Sequence, residues 1–563
     1  MEDKFENRRI QRKNLSLLSH HQGRLVSRTK KYRMISNKLN KSSTHHRKEI
    51  IVLLLIFAGS LLIRMIGLNH GFPLLTHPDE SAIINPVVMM TEKKILNPGD
   101  FIRPDQILYF LNYFYLNALS FLHFGENIAV TFQENELFFY YYARLLIAMM
   151  GALIPVIAYL ISKQFNRKLA FISALVFAFF PAYFVHSAYI TPDVPITLFT
   201  LLVIYFTLRY LKINDKKSIY LATIFAAINT AEKYPGLISL LIVFLGILLK
   251  HMEENKTIHK INWGLIRKLI FFSLFFIFVL FLVAPNIFLE YKSVIEAIIH
   301  DARSTHPGAD NLPWYKNMLF YVEQFYGWSN FLSIPLIVFG IIRFIQKQDS
   351  HAFILTYGFL YWILLSILPL HWERWALPMY ITPLFLIAGG ILFLMEKTDR
   401  LKIAKMAIIF VIAVYFFHQG TASLYFPIRM SFTDTRVIAQ EYCQQNQITV
   451  QNSIYEGYSP LLPTYPKGIF NEYPVEDQVE YVILSSQMND RYFAEPEHYP
   501  DEIDFYENIR QENVLVIKFQ PIPQLTGITD RLNEISYFIR KQWDNHLVDK
   551  IKGPVIEIYK IRK

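Results

Sequence analysis

The sequence predicts a mainly α, polytopic transmembrane protein of about eleven spans plus interfacial helices, followed by a small soluble α/β domain. Composition, the spacing of the apolar runs and the distribution of basic residues carry that reading. Of 563 residues, 53% are hydrophobic and 16% aromatic, while only 18% are charged. A soluble chain commonly has about a quarter of its residues charged, and here the deficit is gathered into long apolar runs. The net charge of +10 is also uneven. Up to Lys48 there are fourteen Lys or Arg against three acids. Residues 1–49 therefore read as a basic, disordered cytoplasmic tail, and the rest is near neutral. A spanning run follows the tail at once, which favours membrane orientation over nucleic-acid binding as its role. The basic region is too long for a cleaved signal peptide, and no small-residue cleavage site follows the first apolar run. The single cysteine, Cys443, excludes an intramolecular disulfide and a cysteine metal cluster.

Crossing about 30 Å of hydrocarbon takes roughly 20 apolar residues. Such runs fall near 51–68, 138–161, 169–186, 194–211, 218–231, 235–250, 268–286, 325–345, 352–370, 375–395 and 402–419. A further apolar segment, Gln106 to Phe124, is short, rich in Tyr and Asn, and preceded by Pro104. Loop charge decides its placement. With the tail inside and 106–124 lying on the outer face as an amphipathic or re-entrant element, the inside loops collect about eighteen basic residues against about five outside. A crossing at 106–124 would reverse that bias. The outside then holds residues 69–137, the turns 186–193, 231–235 and 370–374, the loop 286–320, and everything after about Gly420. The expected placement is a cell inner or plasma membrane, with the N-terminus cytoplasmic and the C-terminal domain extracytoplasmic.

Residues 50–430 form the membrane domain in this reading, with 69–137 as its main outer loop. After Ser431 the composition is that of a soluble domain, residues 431–563. Val479–Ser485, Asn513–Phe519 and Pro554–Ile561 have the β-branched and aromatic content of strands, and Thr433–Asn446 reads as a helix. Turns rich in proline at Pro460–Pro466 and Pro521–Pro523 punctuate it. There is no internal repeat, glycine-rich phosphate loop or low-complexity tract.

Three groups of residues on the outer face could carry chemistry. The first is His77-Pro78-Asp79-Glu80. Proline followed by acids is a good helix start, but two adjacent carboxylates beside a low-dielectric boundary are also functional candidates. The second is the turn from His186 to Asp193, where Pro192 and Asp193 open another helix. Two His-to-Pro-Asp turns far apart in sequence thus fall on one membrane face. The third group is cationic: Lys233 in Glu232-Lys233-Tyr234-Pro235, and Arg374 in Trp372-Glu373-Arg374-Trp375. Either could be an interfacial anchor. Outer basic charge nevertheless opposes the orientation rule, and an anionic phosphate would explain its retention.

The order of these elements resembles the GT-C superfamily of membrane glycosyltransferases. It comprises a span, His-Pro-Asp-Glu, interfacial helices, a span with Ala143-Arg144-Leu145, a His…Thr-Pro-Asp turn and a Glu-Lys-Tyr turn. Within it the chain is similar to the protein O-mannosyltransferase and lipid A aminoarabinose transferase branch, which is glycosyltransferase family 39-like. The segment from Arg374 to Pro383 and the small C-terminal domain fit as well. The resemblance covers about 50–430 and extends loosely beyond. The first outer loop has no Asp-x-Asp motif, which makes the metal-dependent oligosaccharyltransferase branch a poorer match. The resemblance implies an inverting transferase that moves a sugar from a polyprenyl-phosphate lipid to a protein, lipid or polysaccharide acceptor at the outer face of the bilayer. It implies Asp79 as base, with Glu80 and Asp193 orienting acceptor or sugar. Lys233 and Arg374 would hold the phosphate, with Arg144, Arg103, Arg303 and His306 as further candidates. His77 and His186 would either bind sugar or phosphate oxygens or cap their turns. No cofactor is expected, and no motif indicates a divalent metal. The rival class is a transporter or flippase of cell-envelope glycolipids. A transporter site is expected near mid-membrane between repeated halves, whereas these charges lie at outer span ends.

Overall fold

The computed structural model describes residues 47–101, 105–255, 262–301, 303, 305–309, 312–398, 402–472, 478–524, 527–544 and 550–562. Most of the expected basic tail lies outside them. The chain divides into two units, Met1–Ala58 and Gly59–Lys563. Residues 47–64 are helical (α1). Then follow α2 (Pro78–Lys93), α3 (Gln106–Phe124), the short α4 (Ile128–Thr131), α5 (Glu136–Lys163), α6 (Arg167–Ala178), α7 (Pro181–His186), α8 (Asp193–Ile213) and α9 (Lys216–Glu232). A 3-10 turn, Tyr234–Ile238, leads into α10 (Ser239–Asn255), and α11 (Trp263–Val283) precedes the short α12 (Pro285–Leu289) and α13 (Tyr291–Asp301). The membrane part closes with α14 (Trp314–Trp328), α15 (Ser333–Lys347), α16 (Tyr357–Ile367), α17 (Ile381–Thr398) and α18 (Lys402–Met430).

Seven helical segments among the described residues are long and apolar enough to cross a membrane: α3, α5, α8, Tyr234–Asn255, α11, α17 and α18. The pair α14 and α15, bent by 108° at its break, would make an eighth if it forms one span. The chain is thus a multi-pass integral membrane protein with seven or eight such spans, which corrects the expected eleven. The causes are local. The run 169–186 is cut by Pro181 into α6, of 12 residues, and the six-residue α7. At a rise of about 1.5 Å per residue, α6 reaches only about 18 Å. The run 352–370 spends its start in a 3-10 stretch, Ser350–Thr356, leaving α16 with 11 residues. Helix α9 has 17 residues and opens on Lys216 and Lys217, and α1 carries Arg47, Lys48, Glu49 and Arg64. The segment expected to lie flat, Gln106–Phe124, is itself long and apolar enough to cross.

Burial separates the centre of the bundle from its lipid-facing side. Helix α8 is apolar nearly all round and buried along its length, packed against α5, α9 and α10. On α11 the large side chains Leu274, Phe278 and Leu282 are exposed instead, which only a lipid solvent tolerates at no cost. Helices α15 and α17 cross closely through small residues. A Cβ on Gly340 would stand 2.0 Å from the Leu386 carbonyl oxygen, and one on Gly390 would stand 2.0 Å from that of Leu336.

The C-terminal domain is α/β as expected. Strands β1 (Thr433–Asp434) and β5 (Ile551–Lys552) form a parallel pair. Strands β2 (Ser453–Tyr455), β3 (Tyr481–Ser485), β6 (Ile556–Lys560) and β4 (Val514–Phe519) form a four-stranded sheet in the order β2-β3-β6-β4. The β2–β3 pair is parallel and the other two are antiparallel. Helices α19 (Thr435–Gln445), α20 (Ser486–Phe493), α21 (Pro500–Glu512) and α22 (Ile528–Asp544) complete it, and α22 packs along α18. Three of the strands and α19 fall on the segments whose composition suggested them. The two-residue strands β1 and β5 are too short to leave such a signal.

Candidate active site

The two His-to-Pro-Asp turns meet. The His77 ring lies against Tyr189, with centroids 4.5 Å apart, and the Ile190 N–H donates to Glu80 Oε1 at 3.2 Å. The carboxylates occupy the first turns of α2 and α8, where the helix dipole favours negative charge. The cap positions themselves are His77 and Pro192, and neither makes a side-chain capping bond.

From these turns an alternating row of charges extends. Arg374, in the 3-10 turn Glu373–Ala376 before α17, donates from Nη1 to Asp79 Oδ2. Its Nε lies 3.9 Å from Asp193 Oδ2. Lys233, which closes α9, donates to Asp193 Oδ1 at 2.7 Å and stands over the Trp375 ring at 5.4 Å. Four residues from four distant segments therefore run acid, cation, acid, cation. Exposure separates the two ends. The Asp79 and Arg374 side chains are 18% and 24% exposed, whereas Asp193 and Lys233 are 2% and 9% exposed.

Glu80 and Arg144 lie apart from that row. Both side chains have no exposed surface, and Arg144 donates to the two Glu80 oxygens at 2.9 and 2.6 Å. The remaining Nη1 donates to the carbonyls of Leu68 and His70 at 2.7 and 2.9 Å. This bidentate pair is well satisfied. It joins the turn that follows α1 to α2 and α5.

A cavity of about 550 Å³ meets the charged row at Arg374. His77, His186, Tyr189 and Arg374 line its membrane-domain side, while Arg436 and Lys552 of the C-terminal domain line the other. Burial pushes the His77 imidazole below its usual range against the opposing pull of Asp79 and Glu80, and takes His186 down to about 4. Both rings are therefore neutral near pH 7. His77 Nδ1 and His186 Nε2 are buried with no hydrogen-bond partner among the described residues. A neutral imidazole nitrogen so placed can bond a sugar hydroxyl or a phosphate oxygen. A second cavity, about 540 Å³, lies among α6, α15, α16 and α17. Its walls are largely apolar, and it lacks the charged row.

The remaining candidates are dispersed. His306 packs edge-on against Trp372, two residues before Arg374, at 4.9 Å. Arg303 is exposed on the same loop, and Arg103 lies outside the described residues. Among the described residues no group of three or more His, Cys, Asp or Glu is arranged to hold a metal ion. Several groups at the cavity were not singled out from the sequence. Glu373 accepts from the Trp328 indole N–H. Arg436 makes a two-point pair with Asp434 at 2.8 and 2.9 Å and reaches the Thr76 carbonyl at 3.1 Å, just before the first turn. Charges in a soluble domain look like solvated surface until docking places them. For Glu373 a clue existed in its position beside Arg374.

A profile of the family described as dolichyl-phosphate-mannose-protein mannosyltransferase matches residues 140–288, in agreement with the resemblance drawn from the motifs. Among curated proteins no sequence relative was found. Similar solved structures include ArnT from Cupriavidus metallidurans in the apo state, at 13% identity over 70% of this chain and 72% of that one, TM-score 0.44. The same protein bound to undecaprenyl phosphate gives 14% identity over 88% and 89%, TM-score 0.43. The apo oligosaccharyltransferase of Archaeoglobus fulgidus gives 10% identity over 78% and 70%, TM-score 0.46.

Proposed function

We propose that this chain is an inverting glycosyltransferase that moves a sugar from a polyprenyl-phosphate lipid to an acceptor hydroxyl at the extracytoplasmic membrane surface. The observation that carries the reading is the row Asp79–Arg374–Asp193–Lys233, which reaches a polar cavity through Arg374. Glycosyl transfer from a lipid phosphate needs a base for the acceptor proton and cations for the charge that builds on the leaving phosphate. The row supplies both side by side. The acceptor oxygen attacks the anomeric carbon as the bond from that carbon to the phosphate oxygen breaks. Its electron pair leaves on the phosphate, and the acceptor proton passes to Asp79.

Pairing in the free protein couples these events. In the free protein Arg374 occupies an Asp79 carboxylate oxygen. A phosphate arriving at Arg374 competes for the guanidinium and frees Asp79 to take a proton. Asp193 keeps Lys233 aimed at the same place, and His77 and His186 bond sugar or phosphate oxygens. The Glu80–Arg144 pair positions the turn that carries Asp79. The C-terminal domain, residues 431–563, faces the acceptor.

The test uses purified full-length protein in detergent with a polyprenyl-phosphate sugar and no ion gradient. Cleavage or transfer of the sugar is expected. Movement of intact lipid across liposomes, with no bond broken in either assay, would overturn the reading in favour of a flippase.

A further inference from the structure

The charges around the cavity do not balance once each is matched to its partner. Arg374 is matched by Asp79, Lys233 by Asp193, and Arg436 by Asp434. Two cations lining the cavity remain, against Glu373, whose carboxyl accepts from the Trp328 indole. Arg429, at the end of α18, donates to the carbonyls of Ile522 and Pro523 and to the Tyr425 hydroxyl, none of which neutralises its charge. Lys552, on β5, has no ion pair or side-chain hydrogen bond among the described residues. Its strand is pinned by pairing with β1, in which Lys552 stands opposite Asp434. Lys552 and Arg429 are both half-buried at the cavity wall, and positive charge gathered in a cleft without a matching carboxylate attracts an anion.

We propose that Lys552 and Arg429 form a second anion-binding site, contributed jointly by the C-terminal domain and the last span, for a phosphate-type headgroup in the cavity. The site's use rests on the transferase reading; its existence does not. The headgroup belongs either to the donor lipid or to an acidic acceptor, and both present the same tetrahedral or planar oxyanion chemistry. The surroundings of Lys552 support the assignment. Burial lowers its amine to about 7, Asp434 pulls the other way, and Arg436, Arg144 and Arg429 add to the lowering. His70 also faces it and is held well below its usual range by burial, hence neutral. Burial would raise the Asp434 carboxyl, but Arg436 holds it below the usual range, hence ionised. Glu373, across the cavity, is pushed upward by burial.

The probe is inorganic sulfate, whose charge is constant from pH 6 to about 9, titrated calorimetrically into full-length protein in detergent. Wild-type protein is expected to bind it and to weaken as pH rises through about 7, because Lys552 loses its proton. Lys552→Gln should lower affinity at least about tenfold, equivalent to 1.4 kcal/mol, and Arg429→Gln should act in the same direction. Lys552→Arg should keep binding and lose the pH dependence, which separates Lys552 from Glu373. A parallel titration with farnesyl phosphate identifies the source. Loss in Lys552→Gln assigns the site to the donor phosphate, and unchanged affinity assigns it to the acceptor. Should sulfate fail to bind wild-type protein, or bind folded Lys552→Gln as tightly as wild type, the site does not exist. Intact sulfate binding in a protein that transfers no sugar would sink the transferase reading alone.

Discussion

Asp79 and Asp193 have the same functional group in different surroundings, and that difference predicts different mutants. Asp79 is partly exposed at the open end of the charged row, whereas Asp193 is 2% exposed against Lys233. Asp79→Asn keeps shape and one acceptor oxygen but cannot take a proton. It should melt like wild type and lose about a hundred- to ten-thousand-fold in turnover. Near-normal transfer by a properly inserted variant would remove Asp79 as the base. Asp193→Asn strips the counter-charge from a buried lysine, a change that typically costs about 3–5 kcal/mol, so its melting temperature should fall with its activity. The cations are tested separately. Lys233→Ala and Arg374→Ala should raise the donor KM while the protein still inserts. Exchanging Lys for Arg, or the reverse, should not restore it, because a point charge and a planar fork place their donors differently. Wild-type donor kinetics in both alanine variants would return these residues to interfacial anchors.

Two elements carry predictions that no single catalytic residue makes. The crossing of α15 and α17 depends on Gly340 and Gly390, where an added Cβ would meet a backbone oxygen at 2.0 Å. Gly340→Leu must push the helices apart. Overpacking of this kind costs about 1–3 kcal/mol. The turn holding Arg374 leads directly into α17, so the variant should show both a lower melting temperature and weaker donor use; an unchanged KM would separate the crossing from the site. In the C-terminal domain, Glu456 accepts from the Ser485 N–H at 2.7 Å and from the Tyr506 hydroxyl, and burial raises its carboxyl to about 7. The folded state then holds a proton that the unfolded chain, at about 4.5, has released. That contribution to stability is full below about 4.5 and is lost as pH rises to about 7. Melting of the full chain should fall across this window, and Glu456→Gln should abolish the slope.

For the whole molecule, orientation governs whether the site works on the outer surface. Tags at Gly125 and at the C-terminus are expected to be extracytoplasmic, and tags at Asp215 and Glu254 cytoplasmic. A cytoplasmic signal at Gly125 would mean that α3 crosses and that the loops after it change sides. The same architecture places a soluble domain over the charged row, so that Arg436 touches the Thr76 carbonyl and Lys552 lines the cavity beside Arg374. Acceptor selection is therefore expected to depend on the domain and the membrane part together.

Membrane class, the α/β character of the end of the chain and the identity of the acidic and cationic turns were determined by the sequence itself. Apolar run length, β-branched content and the Pro-Asp helix start are local properties, and local rules read them. Span number was legible only in part. An apolar run such as 169–186 looks continuous until Pro181 divides it and the pieces prove too short to cross. Tertiary structure alone decided the pairing. Glu80 and Asp79 are adjacent in the chain, yet one is sealed against Arg144 with no exposed surface and the other faces Arg374 at the cavity. Likewise Arg144 and Arg374 are both arginines of an apolar domain, and only the fold tells them apart: Arg144 is sealed against Glu80, whereas Arg374 lines the cavity. Lys552 and Arg436 carried no signal at all, since a charge on a soluble domain is ordinary until that domain is laid against a membrane site. Which charges neutralise one another, and which are left over, depends on distances between segments hundreds of residues apart, and those distances exist only in the folded chain.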